Sequence, residues 1–444
     1  MLRSKSIIVF LMVILATNSL HAVAQKHKKP AKSRKHTVEE KNRKSRKQAT
    51  EDKESQSLQG DAAAVNDNFG EKFVSGVDRI IRKKTFELFG DPWTIQGLPL
   101  IFQGASTGFH LGFRVAMQNI ARLDPHKFEL EAQVLASDRG RYKHSLKLDF
   151  PRLWGDKFRA TGRFAYDRDI NQRYFGIGNE TVADREAVKN DAIEYQNTRT
   201  GPSFSLYFLR YLGESFRLGP GVSFKWTEIG APNGSLLSSE RPTGIAGGRT
   251  HSFGLIFIHD TLDFEPYPSR GNYHEVFLNF YSPVVGSDYN FFRGTYTFRK
   301  YWPLHRTLTF AHRTLFEVLT GDIPFYELGA VGGMDSTRGF GGDRFMRGFE
   351  GNRFIDQIKL ALGFELRWDP VQFIVAKQEF TIGVVPFFDV GRVWNKLLPI
   401  QIGTLHASAG WGARVTWNRR FILRGDFAVT PEGTDFYIDL GQSF

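Results

Sequence analysis

QIKLALGFELRWD, residues Gln357–Asp369, has two unlike faces. Ile358, Leu360, Leu362, Phe364, Leu366 and Trp368 alternate with Gln357, Lys359, Ala361, Gly363, Glu365, Arg367 and Asp369. Successive side chains of a strand point to opposite faces, so period two gives one apolar face and one polar, partly charged face. The pattern recurs outward in both directions. Phe128, Leu130, Ala132 and Val134 alternate with Lys127, Glu129, Glu131 and Gln133, and Ala407, Ala409, Trp411, Ala413, Val415 and Trp417 share one face of His406–Asn418. Phe436, Ile438 and Leu440 alternate with Tyr437, Asp439 and Gly441. No run of eighteen apolar residues occurs after Leu98, which excludes a transmembrane helix there.

Strands of this length, apolar on one side and charged on the other, suit an all-β fold. The expected form is a closed transmembrane antiparallel β-barrel, with lipid outside and a wet lumen. A soluble sandwich also alternates, but it buries its apolar faces against a second sheet. Two features favour the barrel. Short connections such as Gly213–Ser215 and Pro303–Arg306 alternate with long ones such as Arg168–Ala192 and Leu319–Asp356. Aromatics also gather at strand ends, as in Tyr301-Trp302 and Trp394, which reads as interfacial girdles. About sixteen strands are expected, from 98–104 to 434–444; the first is the weakest by pattern. An even count puts both ends of the barrel domain on one side.

The N-terminus is of another kind. Arg3 and Lys5 precede the apolar run Ile7–Ala16, and Ala22-Val23-Ala24 supplies small residues for cleavage. Residues 1–24 are thus expected to be a cleavable signal peptide, too short in its apolar core to span a bilayer. The chain has 59 Lys+Arg, 47 Asp+Glu and a formal net charge of +12. Thirteen of the basic residues but only two acids, Glu39 and Glu40, lie in residues 1–48; the rest holds 46 basic and 45 acidic side chains. The positive charge therefore belongs to the terminus, and export removes nucleic acid as its partner. Residues 25–69 read as a basic, polar, disordered periplasmic tail. Within it, 26–48 is suited to an anionic lipid or cell-wall surface, or to a periplasmic protein. Phe73, Val77, Ile80 and Ile81 have helical spacing, so 70–97 is expected to be a short periplasmic helix and linker before a barrel over 98–444. The absence of cysteine excludes disulfides, thiolate zinc sites, a thiol nucleophile and a lipid-anchored N-terminus.

Several motifs lie within the alternating region. Gly332-Gly333-Met-Asp-Ser-Thr-Arg338-Gly339-Phe340 falls in the longest connection, a glycine-rich loop of the kind that folds back into a lumen. Phe387-Phe388-Asp389-Val390-Gly391 puts Asp389 on the polar face of its strand, opposite Ile382, Val384, Pro386 and Phe388. Gly412-Ala413-Arg414 does the same for Arg414, and Glu365 and Arg367 point inward beside them. These motifs, with Asp260-Thr-Leu-Asp263…Pro268-Ser-Arg-Gly271 and Tyr174-Phe-Gly-Ile-Gly-Asn179, resemble those of the BamA/TamA superfamily of outer-membrane barrels, the bacterial surface antigen family. In that family a loop arginine reaches into the lumen and pairs with the strand aspartate. The resemblance thus implies a lock of Arg338, Gly339, Phe340, Asp389 and Gly391, with Glu365 and Arg414 nearby. It also implies a terminal strand, Phe436, Ile438, Leu440 and Phe444, read by the barrel-assembly machinery of which this protein is a client. The family's insertases carry periplasmic POTRA domains, whereas residues 26–97 are too short and charged for one, so a single-barrel type is expected.

The implied role is help with outer-membrane protein or lipid assembly, or translocation, from a seat in the outer-membrane bilayer. Its working part would be the seam between the weak first strand and the last, whose free edge invites strand addition. The alternative is a passive pore or surface receptor. An enzyme is not expected: neither G-x-S-x-G nor H-E-x-x-H occurs, and His251-Ser252 and His259-Asp260 read as strand ends. No cofactor or metal site is read.

Overall fold

The computed structural model describes residues 84–104, 108–123, 126–334, 337–375, 378–396, 405–417, 419 and 421–444. The expected signal peptide, basic tail and most of the expected helix lie outside the described residues. Sixteen antiparallel strands close into a barrel. In chain order they are β1 Asp91–Gly104, β2 Gly108–Leu123, β3 His126–Ser137, β4 Tyr142–Leu153, β5 Phe158–Arg173, β6 Gln196–Leu212, β7 Phe216–Gly230 and β8 Ser252–Asp260. They continue as β9 Gly271–Tyr281, β10 Phe291–His305, β11 Leu308–Gly321, β12 Ile358–Val375, β13 Gln378–Trp394, β14 His406–Trp417, β15 Phe421–Thr430 and β16 Gly433–Leu440. Each pairs with the next in antiparallel register, as Gly363↔Asp389 between β12 and β13. One end of the barrel carries short turns and the other carries the long connections, as expected.

The alternation is inverted relative to a soluble protein. Phe253, Leu255 and Phe257 on β8, and Trp411 and Val415 on β14, are exposed on the outer wall. The largest fully buried side chains include Arg293, Arg347, Arg367, Arg414, Arg424 and Lys359. Only an apolar solvent outside makes this arrangement favourable, since buried charges are otherwise kept few. A sandwich, with its aliphatic side chains inside, is excluded.

Three expectations need correction. First, the sheet starts earlier than 98. Lys84–Leu88 is a strand, not a helix, and turns through Phe89-Gly90 into β1, with register from Lys84↔Ile95 to Leu88↔Asp91. Phe89 and Gly90 both have positive φ, 54° and 78°, as a two-residue hairpin of the twist-matching kind requires. Second, Tyr301 and Trp394 do not join an outer girdle. Both are buried, Tyr301 against Phe444 in the lumen, whereas Trp302, one residue on from Tyr301, is exposed on the outer wall; adjacent strand residues cannot share a face. Third, β16 stops at Leu440 rather than running to 444. Gly441 has φ 88°, and the chain then turns inward so that Ser443 and Phe444 are buried.

The connection between β11 and β12 enters the barrel. Its Val331, Phe340, Phe345, Met346, Phe349 and Phe354 form one buried cluster with Leu315, Ala361 and Val393 of the wall. The loop doubles back on itself: Gly341 N donates to Phe345 O at 2.9 Å, and Arg353 N to Phe340 O at 2.9 Å. Gly341 requires glycine, because a Cβ there would stand 1.8 Å from Glu350 O.

Candidate functional site: the lumen lock and the β1–β16 seam

The lumen face of β12 and β13 presents Glu365 and Asp389, and both are engaged by a loop arginine. Among the described side chains that arginine is Arg347, whereas the expectation named Arg338. Arg347 Nε donates to Asp389 Oδ2 at 2.8 Å and Nη2 to Oδ1 at 3.0 Å, a bidentate pair, while Nη1 reaches Glu365 Oε1 at 2.8 Å. Its guanidinium also lies 3.6 Å from the centre of the Phe387 ring and 3.5 Å from Asp426 Oδ2. Arg338 belongs to a two-residue strand paired with Ala330–Val331, and its side chain lies outside the described residues.

The correction follows from a repeat in the sequence. Arg-Gly-Phe occurs twice in this loop, at 338–340 and 347–349. Asp389 is met by the second copy because that copy makes the loop's close approach to the wall. Gly348 has φ 95°, and a Cβ there would sit 2.7 Å from Thr430 Cγ2. Gly348 N donates to the Tyr437 hydroxyl at 3.1 Å, and Phe349 packs edge-on against Phe354. The first copy supplies packing: Phe340 is fully buried, and a Cβ on Gly391 would meet Met346 Sδ at 2.8 Å and Phe340 Cε1 at 3.0 Å. The structure therefore brings together Asp389, Gly391, Glu365 and Phe340 around Arg347. Gly339, at φ 30°, serves the loop's own fold, where a Cβ would meet Asn352 Oδ1 at 2.0 Å.

Arg414 stands one pair further round. It binds Asp426 at 2.5 Å, and Asp426 in turn accepts from Arg424 at 2.9 Å. Arg424 reaches Asp343 of the loop and Asp439 of β16, each at 2.7 Å. Glu365 also accepts from Arg367 at 2.9 Å and from the Ser443 hydroxyl at 2.6 Å. Loop, wall and chain end thus share one charge network. A second cluster holds the start of the loop: Glu327 pairs with Arg293 at 2.9 Å and Lys225 at 3.2 Å, and Glu317 takes Lys359 and the N–H of Gly332.

The other motifs act at the two ends. Tyr174 donates to Glu240 at 2.6 Å, Gly178 bridges to Ile355, and Asn179 Oδ1 accepts from Val393 N at 3.3 Å, which ties three long connections together. At the short-turn end Asp263 accepts from the Ser269 hydroxyl at 2.5 Å and from the N–H groups of Ser269, Arg270 and Phe264. Burial alone would raise this carboxyl; those hydrogen bonds outweigh it and hold the carboxyl below its ordinary value. His259 stacks on the Phe216 ring, while Asp260 binds Arg217, so these neighbours form no dyad.

Among the described residues the seam is the least paired part of the wall. β1 pairs with β2 from Trp93↔Asn119 to Gly104↔Gly108, and β16 with β15 from Thr430↔Gly433 to Leu423↔Leu440. Between β1 and β16 a single pair is made among the described residues, Gln103↔Ile438. Pro92 and Pro99 lie in β1, and proline in a sheet is confined to edges, bulges or strand starts. Lys84–Leu88 pairs with the seam side of β1 only from Asp91 to Ile95, and β16 runs beside the other end of β1 with that one backbone pair. At the long-loop end β16 is pinned by Arg185, which meets Asp435 at 2.9 Å.

Residues 125–444 match the Omp85 superfamily domain. A stretch of 141 residues is 30% identical to the outer membrane protein assembly factor BamA of Nitratidesulfovibrio vulgaris (strain ATCC 29579 / DSM 644 / CCUG 34227 / NCIMB 8303 / VKM B-1760 / Hildenborough), covering 30% of this chain and 17% of that protein. Among solved structures, BamA from Haemophilus ducreyi lacking POTRA domains 1-3 superposes with a TM-score of 0.50 at 15% identity, over 83% of this chain and 77% of that one. CdiB from Escherichia coli gives 0.52 at 12% identity, over 82% and 68%. At these identities the likeness to the solved structures is one of fold. The domain match, spanning most of the chain, settles the family: this outer-membrane β-barrel belongs to the Omp85 superfamily.

Proposed function

We propose that this barrel assists the assembly or translocation of outer-membrane proteins, or of lipid, by admitting material through the β1–β16 seam. The observation that carries the reading is the single Gln103↔Ile438 pair between β1 and β16 among the described residues, with β1 otherwise paired on that side only from Asp91 to Ile95. An open edge offers backbone donors and acceptors to an incoming strand, and a barrel that only had to be stable would close it. The Arg347 lock supports a working seam. It ties the loop to β12, β13 and, through Tyr437, to β16, so the loop's seating bears on the last strand.

The chain has no native cysteine, so Gln103→Cys with Ile438→Cys makes a clean disulfide test. In cells depleted of the native protein, the oxidised double variant should fail to restore envelope composition, and reduction should restore it. Full activity with the seam covalently closed would exclude the seam. The depletion itself sorts the roles: changed barrel proteins mean protein assembly, and changed lipids mean lipid handling. Unchanged composition, with conductance that survives deletion of the loop, means a pore or receptor.

We further propose that β16 is the segment the barrel-assembly machinery reads when it inserts this protein. Phe436 is half exposed on the outer wall, with Ile438 and Leu440 on the same face. Phe444 is turned away from that face, so the recognised residues are those of β16 itself. Partners of the basic segment 26–48, an anionic lipid or cell-wall surface or a periplasmic protein, remain part of this proposal and rest on composition alone.

A further inference from the structure

A cavity of about 200 Å³ lies in the lumen between the β9–β11 wall, the β8–β9 turn, the inward loop and the chain end. Its lining is rich in cations: Arg299 and Arg313 come from the wall and Arg344 from the loop, against Glu265 and Glu275. Glu265 is exposed, and Glu275 already accepts from the Tyr273 hydroxyl at 2.7 Å and Met334 N at 3.3 Å. Neither carboxylate pairs with Arg313. That guanidinium is 3% exposed, donates to the carbonyls of Ser443 and Arg344, and has no carboxylate within ion-pair distance among the described residues. The rings of Phe345 and Phe444 lie 4.0 Å and 4.7 Å from it, which offsets only part of a buried charge.

Three donors here lack acceptors: Arg313 Nε, Arg367 Nη1 and the hydroxyl of Tyr301, which is 1% exposed. The Arg367 guanidinium stands 5.2 Å from the Tyr301 ring and, with Arg313, flanks the Phe444 ring at 5.3 Å and 4.7 Å, so the three groups are gathered around Phe444 at the edge of the cavity. Buried polar groups in native proteins are almost always satisfied, and an excess of donors beside a cation without an ion pair calls for an anion with several acceptor oxygens. The volume suits one small group with accompanying water.

We propose that this cavity binds a phosphate-type oxyanion, held by Arg313 and the Tyr301 hydroxyl with Arg299 and Arg344 supplying field. Either free inorganic phosphate or the phosphate of a lipid headgroup supplies that chemistry. Bound there, it bridges the wall to the inward loop and the chain end, so the site adds a ligand to the elements that seat the loop. The site does not depend on the seam reading.

The test is thermal unfolding of the purified full-length chain in an uncharged detergent, with inorganic phosphate titrated against chloride at matched ionic strength. Phosphate should raise the midpoint saturably, as a ligand of the folded state does, whereas chloride should not. Tyr301→Phe keeps the ring and removes one hydrogen bond to a charged group, so it should weaken phosphate at least about tenfold. Arg313→Gln should abolish the effect, and if that variant does not fold, Tyr301→Phe decides. A second titration with dihexanoyl phosphatidic acid separates the sources. A response to inorganic phosphate assigns the free ion, and a response to the lipid alone assigns the headgroup. No response to either, or unchanged binding by Tyr301→Phe, overturns the site.

Discussion

Replacing Arg347 by alanine should be among the most damaging single changes in this barrel, and the structure says which carboxylate suffers. Arg347 is fully buried and serves three acids. Without it Glu365 keeps Arg367 and Ser443, and Asp426 keeps Arg414 and Arg424. Asp389 alone loses its whole ion pair. Removing one partner of a buried pair costs about 3–5 kcal/mol, because the other charge is left uncompensated. Arg347→Ala should therefore lower stability by about that amount. Arg347→Lys, which keeps the charge but not the two-point geometry, should fall between it and wild type. Asp389→Ala should cost a similar amount, and the double variant should cost clearly less than the sum. Arg338→Ala should cost far less, since Asp389 already has both oxygens on Arg347. The assay is the temperature at which the folded band converts to the unfolded band on detergent gels, with thermal melts for magnitude. The reasoning is refuted if Arg347→Ala converts like wild type, or if Arg338→Ala is the more damaging of the two.

Gly348→Ala should cost about 1–3 kcal/mol, since φ 95° is strained for alanine and the added carbon meets Thr430 at 2.7 Å; a melt within about half a kcal/mol of wild type would contradict this. Phe86→Pro breaks the hairpin strand that covers Asp91–Ile95, so crosslinking of a photoreactive strand peptide to β1 should rise and should spread toward Asp91. Asp263, held below its ordinary value, stabilises its turn above the unfolded pKa near ~3.9, and that contribution is lost as pH falls through the lower folded value. Asp263→Asn should thus destabilise at pH 7 and flatten the acid side of the stability profile; equal profiles would refute the assignment. Phe436→Ala should slow insertion of the barrel into the outer membrane more than Phe444→Ala does, read as the folded fraction over time.

Strand placement was legible because alternation is local. Each outward Phe, Leu or Trp and its inward Arg, Glu or Gly are neighbours in the chain, so Gln357–Asp369 announces both its faces. Glu365, Asp389 and Arg414 could be placed on the lumen side for the same reason. The choice of arginine failed because its partners are far apart in the chain. Two Arg-Gly-Phe copies stand nine residues apart in one loop and look alike on paper. The sequence signal that distinguishes them is slight: the second copy lies nearer β12 and is followed by Glu350-Gly351.

The sequence by itself determined a sixteen-stranded barrel with lipid outside, a charged lumen and a loop folded into it. Period two supplies the two faces, and the alternation of short and long connections favours a barrel over a sandwich. Only the tertiary structure decided that Arg347 closes on Asp389, 42 residues away. It alone showed that Lys84–Leu88 continues the sheet and that Gly441 sends Phe444 into the lumen. It also left β1 and β16 joined by one pair among the described residues. The lock and the seam depend on where distant backbones pass within reach of one another, a property of the closed barrel that no single segment contains.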